Sequence, residues 1–461
     1  MESHEEVAEF LRTELARRAS ARGVPGAAVA VVIDGEIIDH AVGVLSTTTG
    51  VEATPESVFQ IGSITKVWTA TLVMQLVDEG LVELDQPIRT YLPEFRLGDD
   101  AATGSITVRQ LLTHQAGFEG DIFTDTGRGD DAIEKFVALL ADMPQTFAPG
   151  FMFSYNNAGY IVLGLLVERL RGKSWEQALI EHIAAPLGLQ RVSPSPYEAI
   201  LHRAAVGHMA PGDDGIATAA PLWAMARSNE PAGSMLAMTA RDLAGFARMH
   251  LAGGTAPDGT SVLSPSAVEA MRTTGIRLPV ITGLGAAWGL GWEIDRDDDV
   301  RLHGHDGNTI GQASYLRIAQ DAQVAIVLLT NGGDGPGLLH DIVDPLLREL
   351  TGQGLPAAPV PTAQPGAVDA APYIGTYSNS IFDMEVSQDD TGRVWLEQRP
   401  KGLLLEMGEQ PSTDELIAFG EDSLIMRDEK NGMHIVYTFL APDAEGRHSY
   451  VQFGRALART A

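Results

Sequence analysis

The sequence predicts an α+β protein: an antiparallel sheet with a helical lobe, followed by a small antiparallel β-barrel or sandwich. Three observations predict it. Strand-like segments lie near the start and again between residues 313 and 329, so one sheet draws on both ends of the first unit. The stretch between them is patterned as helix and broken by Gly and Pro loops, which sets it apart as a lobe. Past a Pro- and Ala-rich stretch, short strand candidates recur with turn residues between them. The chain's 461 residues suit two or three domains of roughly 100–200 residues each.

Taken in order, Met1-Glu-Ser-His-Glu-Glu is acidic where a secretory leader is basic, and Ala8 to Ala21 reads as a charged amphipathic helix. Gly26–Ile33 and Glu36–Val44 flank a tight Asp34-Gly35 turn, a strong hairpin signal. From Ser63 to Gly80, Val67, Trp68, Leu72, Val73, Leu76 and Val77 make a helix apolar on most faces, which suits the middle of a domain. Helical patterning continues to about Gly245. Strands return at Ala313–Ile318 and Gln323–Leu329, and a helix over Leu338–Leu350 closes the unit. Leu355–Pro372 reads as an extended linker. After it, strands are expected at Ile381–Val386, Val394–Glu397, Leu403–Met407, Glu415–Phe419, Leu424–Met426, Met433–Leu440 and Tyr450–Phe453. The expected boundaries are thus 1–354, 355–372 and 373–461.

Composition narrows the function. A hydrophobic fraction of 44 % supports a packed core. With 32 basic against 61 acidic residues and a net charge of −29, binding to nucleic-acid phosphates is disfavoured. The absence of cysteine excludes disulfides, zinc ribbons and a thiol nucleophile. The longest uncharged apolar stretches, Ala27–Ile33 and Val324–Leu329, fall far short of the ~20 residues of a membrane span. The chain therefore reads as cytoplasmic, with no membrane partner.

Three motifs carry chemistry. Ser63-Ile-Thr-Lys66 opens the apolar helix, and residues at i and i+3 share a helix face. A desolvated lysine takes the proton of a serine hydroxyl, and free N–H groups at the helix start favour an oxyanion. Of the five lysines only Lys66 has this spacing. Tyr155-Asn-Asn157 offers a phenol as proton shuttle and an amide as donor to a substrate carbonyl, although the same residues suit an ordinary loop. His303-Gly-His-Asp-Gly-Asn308 invites a metal reading. A dinuclear-zinc pattern, however, needs Asp and His where Gly307 and Asn308 stand, and His-Glu-x-x-His is absent. No metal or other cofactor is expected.

In this order, Ser63-x-x-Lys66, Tyr155-x-Asn157 and His305-x-Gly307 resemble the active site of the serine β-lactamase and penicillin-binding-protein superfamily, in its class C β-lactamase and family VIII esterase branch. Val24-Pro-Gly26, Leu111-Leu-Thr-His114, Pro186-Leu-Gly188 and Thr239-Ala-Arg-Asp-Leu-Ala-Gly-Phe246 resemble it too, so the likeness covers about Val24 to Leu350. It implies a β-lactamase/DD-peptidase-like antiparallel sheet flanked by helices. Ser63 would be acylated, Lys66 its base, and Tyr155 the proton relay. The backbone N–H groups of Ser63 and Asn308 would form the oxyanion hole, and Asn157 would hold the acyl side chain or amide. One departure stands out: the third motif has His305 where the peptidases and lactamases have lysine. A neutral imidazole supplies no permanent charge for a substrate carboxylate, so ester or thioester substrates fit better than penicillins.

A superfamily member with a β-barrel tail looks like the stand-alone penicillin-binding-protein-type thioesterases of peptide assembly lines, whose tail is lipocalin-like. The resemblance implies a peptidyl thioester on an acyl carrier domain as substrate and partner. It also implies a D-residue at the acyl end, closure to a macrolactam, and a barrel arginine near the site. Arg447 is the candidate for that arginine, with Arg455 behind it, and Gly307 and Asn308 line the substrate site. Carrier domains are acidic, so a chain at −29 needs a basic patch to meet one. Arg12, Arg17, Arg18 and Arg22 form either that patch or a solvated helix face. Two rivals stand beside this reading. One is an esterase or D-amino-acid amidase in which water attacks, and the other is a binding protein that kept the fold without the chemistry.

Overall fold

Asp34 and Gly35 both adopt positive φ, 51° and 78°, the geometry that a two-residue turn needs to match the twist of the strands it joins. They connect β1 (Gly26–Ile33) to β2 (Glu36–Gly43) in a computed structural model that describes residues 4–210, 217–296, 301–406, 408–430 and 432–460. Four strands follow from the middle of the chain: β3 (Ile276–Arg277), β4 (Ala287–Trp288), β5 (Glu293–Arg296) and β6 (Leu302–Asn308). With β7 (Ala313–Ala319) and β8 (Val324–Thr330) they complete one antiparallel sheet, ordered β2-β1-β8-β7-β6-β5-β4-β3. β1 joins the two ends of the unit, with Val29 opposite Leu328.

β1 is buried along nearly its whole length because both faces of the sheet are covered. Ala27, Val29 and Val31 face α1 (His4–Ala21) and α5 (Gly335–Thr351), where Leu11, Leu15, Ile342 and Leu346 pack. Ala28, Ala30 and Val32 face the larger core, which holds α2 (Thr65–Asp78), α3 (Asn157–Arg171) and α4 (Ala240–Leu251). This alternation is the period-2 logic of a strand with two dry faces. Helix α2 runs through the centre of the larger core, and Trp68 stacks on Phe246 of α4 at 4.2 Å. Among the described residues no helix is long and apolar enough to cross a membrane.

The tail is a closed barrel of eight strands: β9 (Gly375–Ser378), β10 (Phe382–Gln388), β11 (Val394–Pro400), β12 (Ser412–Gly420), β13 (Ser423–Met426), β14 (Val436–Pro442), β15 (His448–Gln452) and β16 (Ala456–Arg459). Tyr377 opposite Arg459 closes the ring, which removes the exposed edges of an open sheet. Tyr377, Leu396, Phe439, Val451 and Leu457 fill it.

Two expectations need correction. Leu403–Met407 is not a strand: Gly402–Glu406 forms a short helix, as a run of leucines, unbranched at Cβ, favours, and Met407 lies outside the described residues. The His303–Asn308 motif, absent from the expected strands, is itself strand β6, ahead of the returning strands and hidden by its polar residues and two glycines. Of the two readings left open for the first arginines, the ion pairs suit a solvated helix face: Arg12 pairs with Glu9, Arg17 and Arg18 with Glu14, and Arg22, just past α1, with Asp334 and Asp341.

Candidate active site

Ser63 sits on a single 3₁₀ turn, Gly62–Ile64, that leads into α2. From Ser57 to Leu76 every residue except Ser63 is buried. Lys66 lies one turn on, fully buried, and its Nζ donates to Ser63 Oγ at 3.1 Å and to the Ala232 carbonyl at 2.7 Å. Burial pushes its ammonium well below the ordinary lysine range, the Arg455 charge pushes the same way, and Asp121 opposes them. A neutral amine beside a hydroxyl is the arrangement that activates a serine.

Tyr155 completes the group. Its phenol hydrogen-bonds Ser63, burial raises its pKa, and Lys66 Nζ lies 4.9 Å from its ring centroid. His114, which the motifs gave no role, stacks on Tyr155 at 4.3 Å and accepts the Asn156 N–H at Nδ1, 2.9 Å away. Burial keeps it neutral, with its pKa well below the usual value. The barrel holds this segment in place. Tyr155 N donates to the Gly454 carbonyl at 2.9 Å, Ala456 N donates to Ser154 Oγ at 3.1 Å, and the Gln452 amide donates to the Phe153 carbonyl.

The third motif lies across the Ser63 turn. A methyl group on Gly62 would come within 2.7 Å of the Asn308 nitrogen, and one on Gly307 within 2.0 Å of the Ile61 carbonyl oxygen. Glycine at both positions lets strand β6 close on the turn, and Ser314 Oγ ties it there by donating to the Ile61 carbonyl at 2.7 Å. Ser63 and Asn308 thus border one cavity. His305 is buried and held neutral, its pKa lowered by burial and then by Lys66 to about 3. Its Nδ1 bonds the Asp306 carbonyl at 2.6 Å, so Nε2 is the bare nitrogen, and it meets no protein partner among the described residues.

Asn157 begins α3, whose N-cap is Asn156, with Oδ1 accepting from Gly159 N at 2.7 Å. Asn157 Nδ2 donates to Asp121 Oδ1 at 2.6 Å. The expectation for Arg447 fails on geometry. It lies in the exposed turn before β15 and pairs with Asp443 at 2.9 Å and Glu445 at 3.3 Å. The arginine at the site is Arg455: its guanidinium lies 4.8 Å from the Tyr155 ring centroid, and its Nε donates to Asp121 Oδ2 at 2.8 Å. Asp121 and His114 went unnoticed as site residues, Asp121 because no motif surrounds it and His114 because it stood only within a family-like run.

A cavity of about 800 Å³ opens over these groups. Its walls are mostly apolar, with Phe123, Met225, Leu278, Ile281, Leu284 and Trp288 among them. The 278–284 wall is clamped to the barrel: Thr282 Oγ1 donates to the His434 carbonyl at 2.8 Å and accepts from Val436 N at 3.0 Å. No group of three or more His, Asp or Glu among the described residues is placed to hold a metal ion.

The arrangement has known counterparts. The family model described as Beta-lactamase matches residues 10–344. The chain belongs to the β-lactamase family. It is 44 % identical over 358 residues to penicillin-binding protein 4 of Amycolatopsis lactamdurans, a match covering 77 % of this chain and 93 % of that protein. The crystal structure of SurE superposes with a TM-score of 0.80 at 32 % identity, over 99 % of this chain and 98 % of that one, and SurE with D-Leu gives 0.77 at the same identity, over 99 % of both. D-amino acid amidase of Ochrobactrum anthropi SV3, complexed with D-phenylalanine, gives 0.59 at 25 % identity, over 71 % of this chain and 92 % of that one. The barrel therefore belongs to the shared architecture with SurE, and the chain is a member of the serine β-lactamase-like and penicillin-binding-protein superfamily of enzymes.

Proposed function

We propose that this protein takes a nonribosomal peptide from its carrier-protein thioester onto Ser63 and closes it head to tail as a macrolactam. The observation that supports this most is the likeness to SurE over 99 % of the chain, barrel included, in a protein crystallised with D-Leu. That pairing favours a D-residue at the acyl end. In the first half-reaction Ser63 Oγ attacks the thioester carbonyl while its proton passes to the Lys66 amine. The oxyanion is met by the N–H groups of Ser63 and Asn308, and the C–S bond breaks as the departing thiolate takes up the proton held by Lys66. In the second, the peptide's own amine attacks the Ser63 ester, and the Tyr155 phenol gives its proton to Ser63 Oγ as it takes one from the amine, so the C–O bond breaks and the hydroxyl is restored. Apolar walls around the ester disfavour water as the competitor.

Hydrolysis is the second reading, favoured by the likeness to D-amino acid amidase. Mass spectrometry of products from a hexapeptide to octapeptide pantetheine thioester with a C-terminal D-residue separates the two. A product one water lighter than the free acid, absent with Ser63→Ala, is the expected result. Linear acid alone, across several peptides, assigns the protein to the hydrolases.

A further inference from the structure

Asp121 takes no part in the bond-making steps, yet it touches two groups that border the cavity. We infer that Asp121 inverts the polarity of Asn157, so that this amide offers its carbonyl oxygen to the substrate and takes an N–H donor. The Asp121 carboxylate is ion-paired to Arg455 Nε at 2.8 Å and has only acceptor sites. The Asn157 atom 2.6 Å from it is therefore the nitrogen, and chemistry alone fixes the flip. The amide is planar, so Oδ1 turns away from Asp121, and no donor among the described residues bonds it. The Lys66 amine is directed to Ser63 and Ala232 instead. Asn157 lines the cavity over Ser63. An acceptor left bare against apolar walls costs about 1–3 kcal/mol, so a substrate that fills the cavity binds better when it brings an N–H.

The motif alone had assigned Asn157 the opposite task, donating to a substrate carbonyl. A peptidyl substrate has two N–H groups within reach of the ester carbon: the amide N–H of the acyl residue itself, and the amine that attacks. The chemistry is the same for both, and the test separates them.

The inference rests on Ser63 being acylated, so acylation is read independently, as the mass of the Ser63 adduct on the intact protein. The p-nitrophenyl ester of N-acetyl-D-leucine is compared with its 2-acetoxy counterpart, in which oxygen replaces the amide N–H. If the acyl residue's N–H is the donor, the parent acylates about five- to ten-fold faster with the N–H ester, the worth of one neutral hydrogen bond. In Asp121→Asn the amide is free to turn, and the ratio falls to about two or below. If the attacking amine is the donor, the ester ratio is near one, and the aminolysis-to-hydrolysis partition with glycinamide falls in Asp121→Asn instead. Each ratio is taken on one sample, so the folded fraction cancels. Both ratios unchanged by Asp121→Asn overturn the inference. So does a variant that forms no adduct with either ester, because a residue that only orients Asn157 leaves Ser63 and Lys66 intact. A parent that forms no adduct at Ser63 overturns the acyl-enzyme reading first, and this inference with it.

Discussion

Two basic groups, Lys66 Nζ and the Arg455 guanidinium, stand 4.9 and 4.8 Å from the centroid of the Tyr155 ring. Repulsion between Arg455 and the charged form of Lys66 gives the site a testable pH signature. The Arg455 charge lowers the Lys66 pKa, and Lys66 acts as a base only when neutral. Arg455→Met removes that like charge, so the Lys66 pKa rises and a smaller fraction is neutral at any given pH. The ascending limb of kcat/KM against pH, measured with a small activated ester, is expected to move to higher pH. A limb that stays in place means that Arg455 does not act through Lys66. At this scale the sequence was informative where chemistry and spacing coincide: Ser63 and Lys66 share a helix face and announce themselves. Asp121 and Arg455 meet only in the folded chain, from a loop and a barrel turn, so no spacing could join them, and Arg447 was as plausible in the sequence as its neighbour.

Strand β6 and the turn before α2 act as one element, because the glycines at their contact leave no room for a side chain. Gly307→Ala would set a methyl 2.0 Å from the Ile61 carbonyl oxygen, which is backbone and cannot swing aside. The strand must then withdraw from Ser63. The substitution is expected to cost about 1–3 kcal/mol of stability, as other overpacked sites do, and to lower kcat more than it changes KM. Denaturation midpoint and steady-state kinetics check the two effects; a stable variant with parental kcat would mean that the Asn308 amide is not needed. The elements most legible in the sequence were those with a continuous apolar run or a clear turn signal, such as the β1–β2 hairpin and α2. Strand β6 was not, since histidines, an aspartate and two glycines interrupt its alternation to serve the site. β9 and β16, the strands that close the barrel, are four residues each and were not among the expected strands.

At the scale of the whole molecule, the barrel is an integral part of the site. Its Gln452 side chain bonds Phe153, its main chain bonds Ser154 and Tyr155, its last turn carries Arg455, and Thr282 binds the cavity wall to it. Ser154→Ala would leave the Ala456 N–H without its acceptor, at about 1–3 kcal/mol. Hydrogen exchange is expected to quicken at residues 153–156 and 454–457 together; a change confined to one side would mean that the two parts are not coupled there. The fold class was readable from the order of elements, but the angle at which the barrel meets the catalytic part depends on long-range contacts that no local pattern encodes. That contact also has a consequence in time. Synthesis proceeds at about 5–20 residues per second, so the ribosome needs on the order of tens of seconds between making Ser63 and making Arg455. Throughout that interval the nascent chain carries Ser63 and Lys66 without the carbonyl that anchors Tyr155 or the guanidinium above its ring. The candidate site is therefore complete only once the barrel has been made and has docked.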